Sequence, residues 1–176
     1  MDKVEQARNA LNRSAVLEKL KPFSPELVST IFVGLDTDNS DIDIICSYED
    51  EDRYVSHFKK SFSLKLGYAL EKRQGYILGS FIESGFEIEV YASTKPTKQQ
   101  LGYRHYKIME RLVLAGEDAF CRQIKNLKQA GYKTEPAICH YLSLSGDPYL
   151  AILQVENWPE PKLEKELQDA FTRANR

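Results

Sequence analysis

Long apolar runs are missing from this sequence. No stretch approaches the ~18 consecutive apolar residues of a membrane span. The opening residues, Met1-Asp-Lys-Val-Glu-Gln-Ala, hold no apolar signal core. The expectation is therefore a cytoplasmic protein with no membrane partner. Cysteine is scarce as well: Cys46, Cys121 and Cys139 are odd in number, far apart, and form no Cys-x-x-Cys pair. That argues against a disulfide framework and a structural zinc site and suits a reducing compartment. Excess charge of either sign is also lacking, with 24 Lys and Arg against 26 Asp and Glu, a formal net charge of -2. Bulk electrostatics then offer no attraction for long nucleic acids, although a local basic patch is compatible with this balance. Neither internal repeats nor low-complexity tracts occur, and 176 residues suggest one domain.

What is present is an ordinary globular composition, 42% apolar and 28% charged. Residues 4–20 have helical periodicity, with Val4, Ala7, Ala10, Leu11, Val16 and Leu20 on the apolar side. Pro22 and Pro25 stop it. The segment 27–32 is rich in β-formers, and Gly34 with the polar run 36–40 predicts a turn. Residues 41–46, Asp-Ile-Asp-Ile-Ile-Cys, begin with strict alternation and predict a strand. The spacing of Tyr54, Val55, Phe58, Phe62 and Leu66 predicts a helix over 51–66. Two strands, 76–82 and 86–91, flank Glu83-Ser-Gly85, a hairpin connection. From Pro96 on the pattern is helical, over about 98–115, 117–130, 135–144, 148–156 and 161–174. Gly116, Gly131 and Gly146 stand at the expected stops, Thr134 is an expected helix cap, and Asp147-Pro148 is a strong start signal. The expected fold is α+β: a small mixed sheet with flanking helices over about 1–95, then a helical portion over about 96–176, within a single domain.

The chemistry-bearing residues are acidic. Side chains at i and i+2 of a strand share a face, so Asp41 and Asp43 stand side by side while Ile42 and Ile44 face the core. Like charges so placed repel unless a cation or a proton intervenes, and hard oxygen ligands suit Mg²⁺ or Mn²⁺. Glu87 and Glu89 repeat the pattern in Phe86-Glu-Ile-Glu-Val-Tyr91. Converging carboxylates that hold two dications form an apparatus for in-line phosphoryl displacement. Alternating acid and apolar residues are equally what a half-exposed strand shows, but Asp is a poor strand former, so Asp41-Ile-Asp43 asks for more explanation. Upstream, Ser29 and Thr30 offer hydroxyls and N–H groups of the kind that line phosphate-binding concavities.

These elements together resemble the signature of the nucleotidyltransferase superfamily, the DNA polymerase β-like fold. That signature is Gly-Ser or Gly-Thr, a spacer of about ten residues, Asp-x-Asp between apolar residues, and a third acid on a later strand. Ser29-Thr30, Ser40-Asp-Ile-Asp-Ile44 and Ile88-Glu-Val90 match its three parts. A resemblance over nearly the whole chain adds Pro96, Gln99, Gln100, Tyr103-Arg-His105, Lys133-Thr-Glu-Pro136 and Gly146-Asp-Pro-Tyr149. It is to a family of small bacterial proteins of unknown function with such a core.

The resemblance implies transfer of a nucleoside monophosphate from an NTP, ATP first among them, to an acceptor hydroxyl on a small molecule, a protein or an RNA end. It implies Asp41, Asp43 and Glu89 as catalytic metal ligands for Mg²⁺ or Mn²⁺. Ser29, Thr30, Ser40 and Arg104 are implied as nucleotide contacts. One departure stands out: the usual glycine is Ser29 here. Glycine lets backbone approach a triphosphate closely, so a Cβ there bears on catalysis more than on fold. It also supports an alternative, a non-catalytic nucleotide- or partner-binding module. An antitoxin-like enzyme acting on a partner protein is a third possibility. Arg104, Lys107 and Arg111 share one helix face, and Arg122, Lys125 and Lys128 another. The first could meet phosphates, whereas the second reads as a solvated face. His105 reads as a structural histidine, and Trp158 and the tyrosines as packing residues.

Overall fold

The structure, a computed structural model, describes residues 2–175. These residues form two compact units. The first comprises the described residues up to Phe32 together with Ser40–Tyr103, and the second comprises Val33–Asn39 and the chain from Arg104 onward. No helix among the described residues is long and apolar enough to cross a membrane.

The first unit holds a five-stranded mixed sheet in the order β1-β2-β5-β4-β3. The strands are β1 (Glu26–Leu27), β2 (Ile42–Ser47), β3 (Ala69–Arg73), β4 (Tyr76–Glu83) and β5 (Phe86–Ser93). β2 and β5 run parallel, and every other pairing is antiparallel. Helices α1 (Lys3–Ser14), α2 (Val16–Lys19) and α3 (Glu51–Phe62) complete the unit. Ala7, Ala10 and Leu11 of α1 join Tyr54, Phe58 and Phe62 of α3 in one core with Ile42, Ile44, Cys46, Ile77, Phe81, Ile88, Val90 and Ala92 of the sheet. Every second strand residue therefore enters the core, and the intervening ones, Asp43 and Glu89 among them, lie on the opposite face.

Several expectations need correction. The helix expected over 4–20 breaks at Ala15, whose φ of 51° is left-handed, and resumes as α2. The strand expected over 27–32 ends at Leu27, and residues 30–33 form a 3₁₀ turn instead. α3 stops at Phe62, four residues short, and leaves Leu66 exposed. β3 was not expected from sequence at all. Its residues, Ala-Leu-Glu-Lys-Arg, are mostly charged, as suits a solvated sheet edge. The hairpin between β4 and β5 turns on Ser84 and Gly85, both at positive φ (53° and 86°), the two-residue geometry whose twist matches the strands.

The second unit packs α4 from Arg104 onward, α5 (Thr134–Leu142), α6 (Pro148–Ala151), a 3₁₀ stretch (Ile152–Asn157) and α7 (Glu160–Ala174). α4 spans Leu101–Gln129 but is broken by Glu117, at φ 48° and ψ -147°. The break falls one residue beyond the expected stop at Gly116. Asp147 caps α6 as expected, accepting from the amides of Tyr149 and Leu150. Thr134 is not the cap of α5: Lys133 holds that position, and Thr134 is the buried first helical residue. Trp158 joins Ile108, Leu112, Phe120, Ile138 and Leu163 in this unit's core.

The close fit of Gly79 under Phe58 gives a direct test of packing. A Cβ at Gly79 would collide with the Phe58 ring, which is fully buried. Gly79→Ala is expected to destabilise the protein by roughly 1–3 kcal/mol, the usual cost of overpacking. Urea denaturation measures this, and adding Phe58→Leu should recover part of the loss.

Candidate active site

The acidic residues of the first unit are positioned by strand pairing. β2 and β5 pair from Ile42↔Ile88 to Ser47↔Ser93, so Asp43 is the register partner of Glu89. Neighbouring strands lie about 4.8 Å apart, and both side chains are half-buried on the face opposite the core. Asp41 precedes β2 and is exposed. Glu87 lies before the first rung of the β2–β5 ladder and is exposed. On the other flank of β5, Ser80 stands opposite Glu89. Sequence reading passed over Ser80, although counting back from the two-residue Ser84-Gly85 turn would have paired it with Glu89.

The loop leading to these acids is tied down by its backbone. The Val28 amide donates to the carbonyl of Asp43 at 2.9 Å. Next to it, the Ser29 hydroxyl donates to the carbonyl of Asp41 at 2.7 Å and accepts from the Ile31 amide at 3.4 Å. Ser29 is fully buried, so neither its hydroxyl nor its Cβ meets solvent. Thr30 and Ser40, at the two ends of the loop, are half-buried.

The donor chemistry suits a hard dication, since every implied ligand is a carboxylate oxygen. The arrangement matches it only in part. Asp43 and Glu89 are neighbours, yet among the described residues no group of three or more His, Cys, Asp or Glu side chains converges enough to hold a metal ion.

Arg104 lies in the second unit. Its guanidinium forks onto Glu156, with Nε–Oε1 at 2.9 Å and Nη2–Oε2 at 2.6 Å. Arg111 donates to the carbonyls of Val155 and Trp158 and to Glu160, clasping the 3₁₀ stretch. Lys125 pairs with Asp36 at 3.2 Å, and Lys128 donates to the carbonyl of Leu35 at 2.6 Å. The second basic stripe is thus not simply solvated, because two of its lysines hold the segment Val33–Asn39.

His105 is buried, and both of its ring nitrogens are engaged. Nδ1 faces Glu135 Oε1 at 3.2 Å, and Nε2 faces the carbonyl of Tyr149 at 2.8 Å. Three of the segments behind the whole-chain resemblance, Tyr103-Arg-His105, Lys133-Thr-Glu-Pro136 and Gly146-Asp-Pro-Tyr149, therefore meet at one imidazole. Burial pushes the Glu135 carboxyl up. The His105 hydrogen bond, its own backbone N–H and the charges of His105 and Lys128 outweigh that and hold it below its ordinary 4.5.

The sign of the pH dependence follows. A carboxyl depressed in the folded state contributes stability that is fully present above its ordinary value and lost as pH falls through the depressed one. Glu135→Gln is therefore expected to lower stability at neutral pH and to flatten the loss of stability as pH falls below the carboxyl's ordinary 4.5. His105→Ala, which removes a buried ring and its contacts to Glu135 and the Tyr149 carbonyl, should cost roughly 2–3 kcal/mol. Chemical denaturation at a series of pH values measures both.

No curated protein matches the chain in sequence. Among solved structures, the fold is similar to a mutant of the Cid1 poly(U) polymerase bound to MgATP, with 12% identity and a TM-score of 0.58 over 86% of this chain and 49% of that one. Cid1 bound to MgGTP matches at 13% identity and a TM-score of 0.60, over 98% of this chain and 68% of that one. The polymerase core of TRAMP, an RNA surveillance complex, matches at 17% identity and a TM-score of 0.51, over 97% and 58%. The chain thus spans about half to two thirds of the length of these structures, and at such identities the likeness establishes the nucleotidyltransferase fold alone. Residues 9–155 match the family described as Domain of unknown function (DUF4269), and with most of its length covered the chain belongs to that family.

Proposed function

We propose that this protein transfers a nucleoside monophosphate from an NTP, ATP first among them, to an acceptor hydroxyl in the presence of Mg²⁺ or Mn²⁺. One observation carries the reading: Asp43 and Glu89 are register partners on adjacent parallel strands, on the face away from the core, with Asp41 just ahead. The fold is shared with polymerases solved with MgATP and MgGTP, which supports an NTP as donor. Asp41, Asp43 and Glu89 would hold the metal. Of two dications bound there, one would lower the acceptor's pKa and the other would offset charge on the departing pyrophosphate.

The remaining roles fall to groups of this chain. Glu89, in the strand body, would orient the acceptor side, while Glu87 would matter less. Thr30 and Ser40 would be the hydroxyl contacts to phosphate oxygens. The acceptor is a small molecule, a protein or an RNA end. An RNA end is the first to try, because similar structures are described as RNA terminal U-transferases.

A second reading, a non-catalytic nucleotide- or partner-binding module, is favoured by the lack of a three-ligand cluster among the described residues. Calorimetric titration with Mn²⁺ and a non-hydrolysable ATP analogue bears on the shared binding step. Binding is expected for the native chain and should vanish in the Asp41→Asn, Asp43→Asn double variant; undiminished metal-dependent binding in that variant defeats the carboxylate assignment. Pyrophosphate release with each NTP and a short RNA then separates enzyme from module. In an active enzyme Glu89→Gln should lower kcat far more than it raises KM, because it removes a charge needed mainly in the transition state. Glu87→Gln should change either by only a few-fold, and the reverse order would exchange the two glutamates.

A further inference from the structure

The family resemblance implies Ser29 as a phosphate contact, or as an obstacle where glycine is usual, and its hydrogen bonds point elsewhere. β1 pairs with β2 through Glu26↔Ile45 and Leu27↔Ile44. The ladder then continues through the Val28 amide, which takes the carbonyl of Asp43. One residue later the backbone turns away: the Phe32 amide donates to the carbonyl of Ser29 at 3.1 Å, closing the 3₁₀ turn. At that point a side chain replaces the ladder. The Ser29 hydroxyl takes the carbonyl of Asp41 at 2.7 Å while accepting from the Ile31 amide, from a fully buried position.

We infer that Ser29 is a positioning residue that sets the backbone at Asp41 and thereby the carboxylate pair Asp41 and Asp43. This inference rests on the metal-dependent reading above. The two carbonyls that flank Ile42 are each held by the residues just after β1, one by the Val28 amide and one by this hydroxyl. Ile42 is fully buried between them. The backbone at Asp41 therefore has one tie to these residues that a glycine at 29 could not supply. The hydroxyl does two jobs at once. It ends the antiparallel pairing, and it holds the residue that must present a carboxylate just outside the strand. Asp41 is exposed and lies beyond the last rung of β2, so the Ser29 bond falls where the regular ladder no longer holds it.

The test compares three variants. Ser29→Ala removes the hydroxyl, and Ser29→Cys keeps a side chain of similar size with only a weak donor. Ser14→Ala is the control: Ser14 is equally buried and donates to the carbonyl of Leu11 at 2.9 Å, at the end of α1. Two readouts are followed, calorimetric binding of Mn²⁺ with a non-hydrolysable ATP analogue, and hydrogen exchange of the Ile31 amide. Ser29→Ala should weaken Mn²⁺ binding roughly three- to tenfold, the worth of one hydrogen bond, and speed exchange at Ile31. Ser29→Cys should fall between, and Ser14→Ala should leave Mn²⁺ affinity unchanged. A merely structural hydroxyl would move both alanine variants alike. Equal Mn²⁺ affinity in Ser29→Ala and the native chain overturns the positioning role and leaves the metal site standing. Loss of affinity in Ser14→Ala as large as in Ser29→Ala also overturns it. If the native chain binds no Mn²⁺ with or without the nucleotide, the metal-dependent reading itself falls and takes this inference with it.

Discussion

The parallel pairing of β2 with β5 is the constraint from which the candidate site follows. Ile42, Ile44 and Cys46 on one strand and Ile88, Val90 and Ala92 on the other are all buried in one core. A slip of one residue would turn each of these side chains outward and drive Asp43 or Glu89 into that core. The hydrophobic register therefore sets Asp43 opposite Glu89. Two carboxylates directly opposite in a sheet repel when both are ionised, and the pair stands half-buried on the face away from the core.

The loop before β2 shows how a local substitution can be absorbed. Where the superfamily signature has a glycine, this chain has a serine whose hydroxyl is consumed by backbone groups. A buried hydroxyl without partners would be costly. Paired with a carbonyl and an amide it becomes part of the strand-to-turn transition. The usual argument about a glycine, that only its missing Cβ lets a ligand approach, does not carry over to a residue whose Cβ is sealed inside the unit.

The second unit is organised around polar contacts to backbone as much as around its apolar core. His105 bridges the Glu135 carboxylate and the Tyr149 carbonyl, Arg111 clasps the carbonyls around Trp158, and Lys128 holds Leu35. Short elements such as α6 and the 3₁₀ stretch leave many carbonyls unsatisfied by regular helix bonding. Long basic side chains supply the missing donors. Arg104 and His105 are accordingly explained by what they hold together within this unit, with His105 sealed from solvent and Arg104 forked onto Glu156.

Residue pattern alone determined the elements whose signals are local. The alternation around Asp41-Ile-Asp43, the helical spacing of Tyr54, Phe58 and Phe62, the Ser84-Gly85 turn and the Asp147-Pro148 start all depend on neighbours a few positions away. The superfamily spacing from Ser29 to Glu89 likewise made the nucleotidyltransferase fold legible. Tertiary structure alone decided which strands are neighbours: β2 and β5 are more than forty residues apart and are joined by core packing, which has no local signature. It also decided that β3, charged and at an edge, is a strand at all. Residues 30–33, rich in β-formers, curl into a 3₁₀ turn that the Phe32 amide closes on the carbonyl of Ser29. Above all it decided how polar side chains are spent. Whether a buried hydroxyl, an imidazole or a guanidinium faces a ligand or a distant backbone carbonyl depends on which segments folding brings within 3 Å, and spacing along the chain carries no record of that.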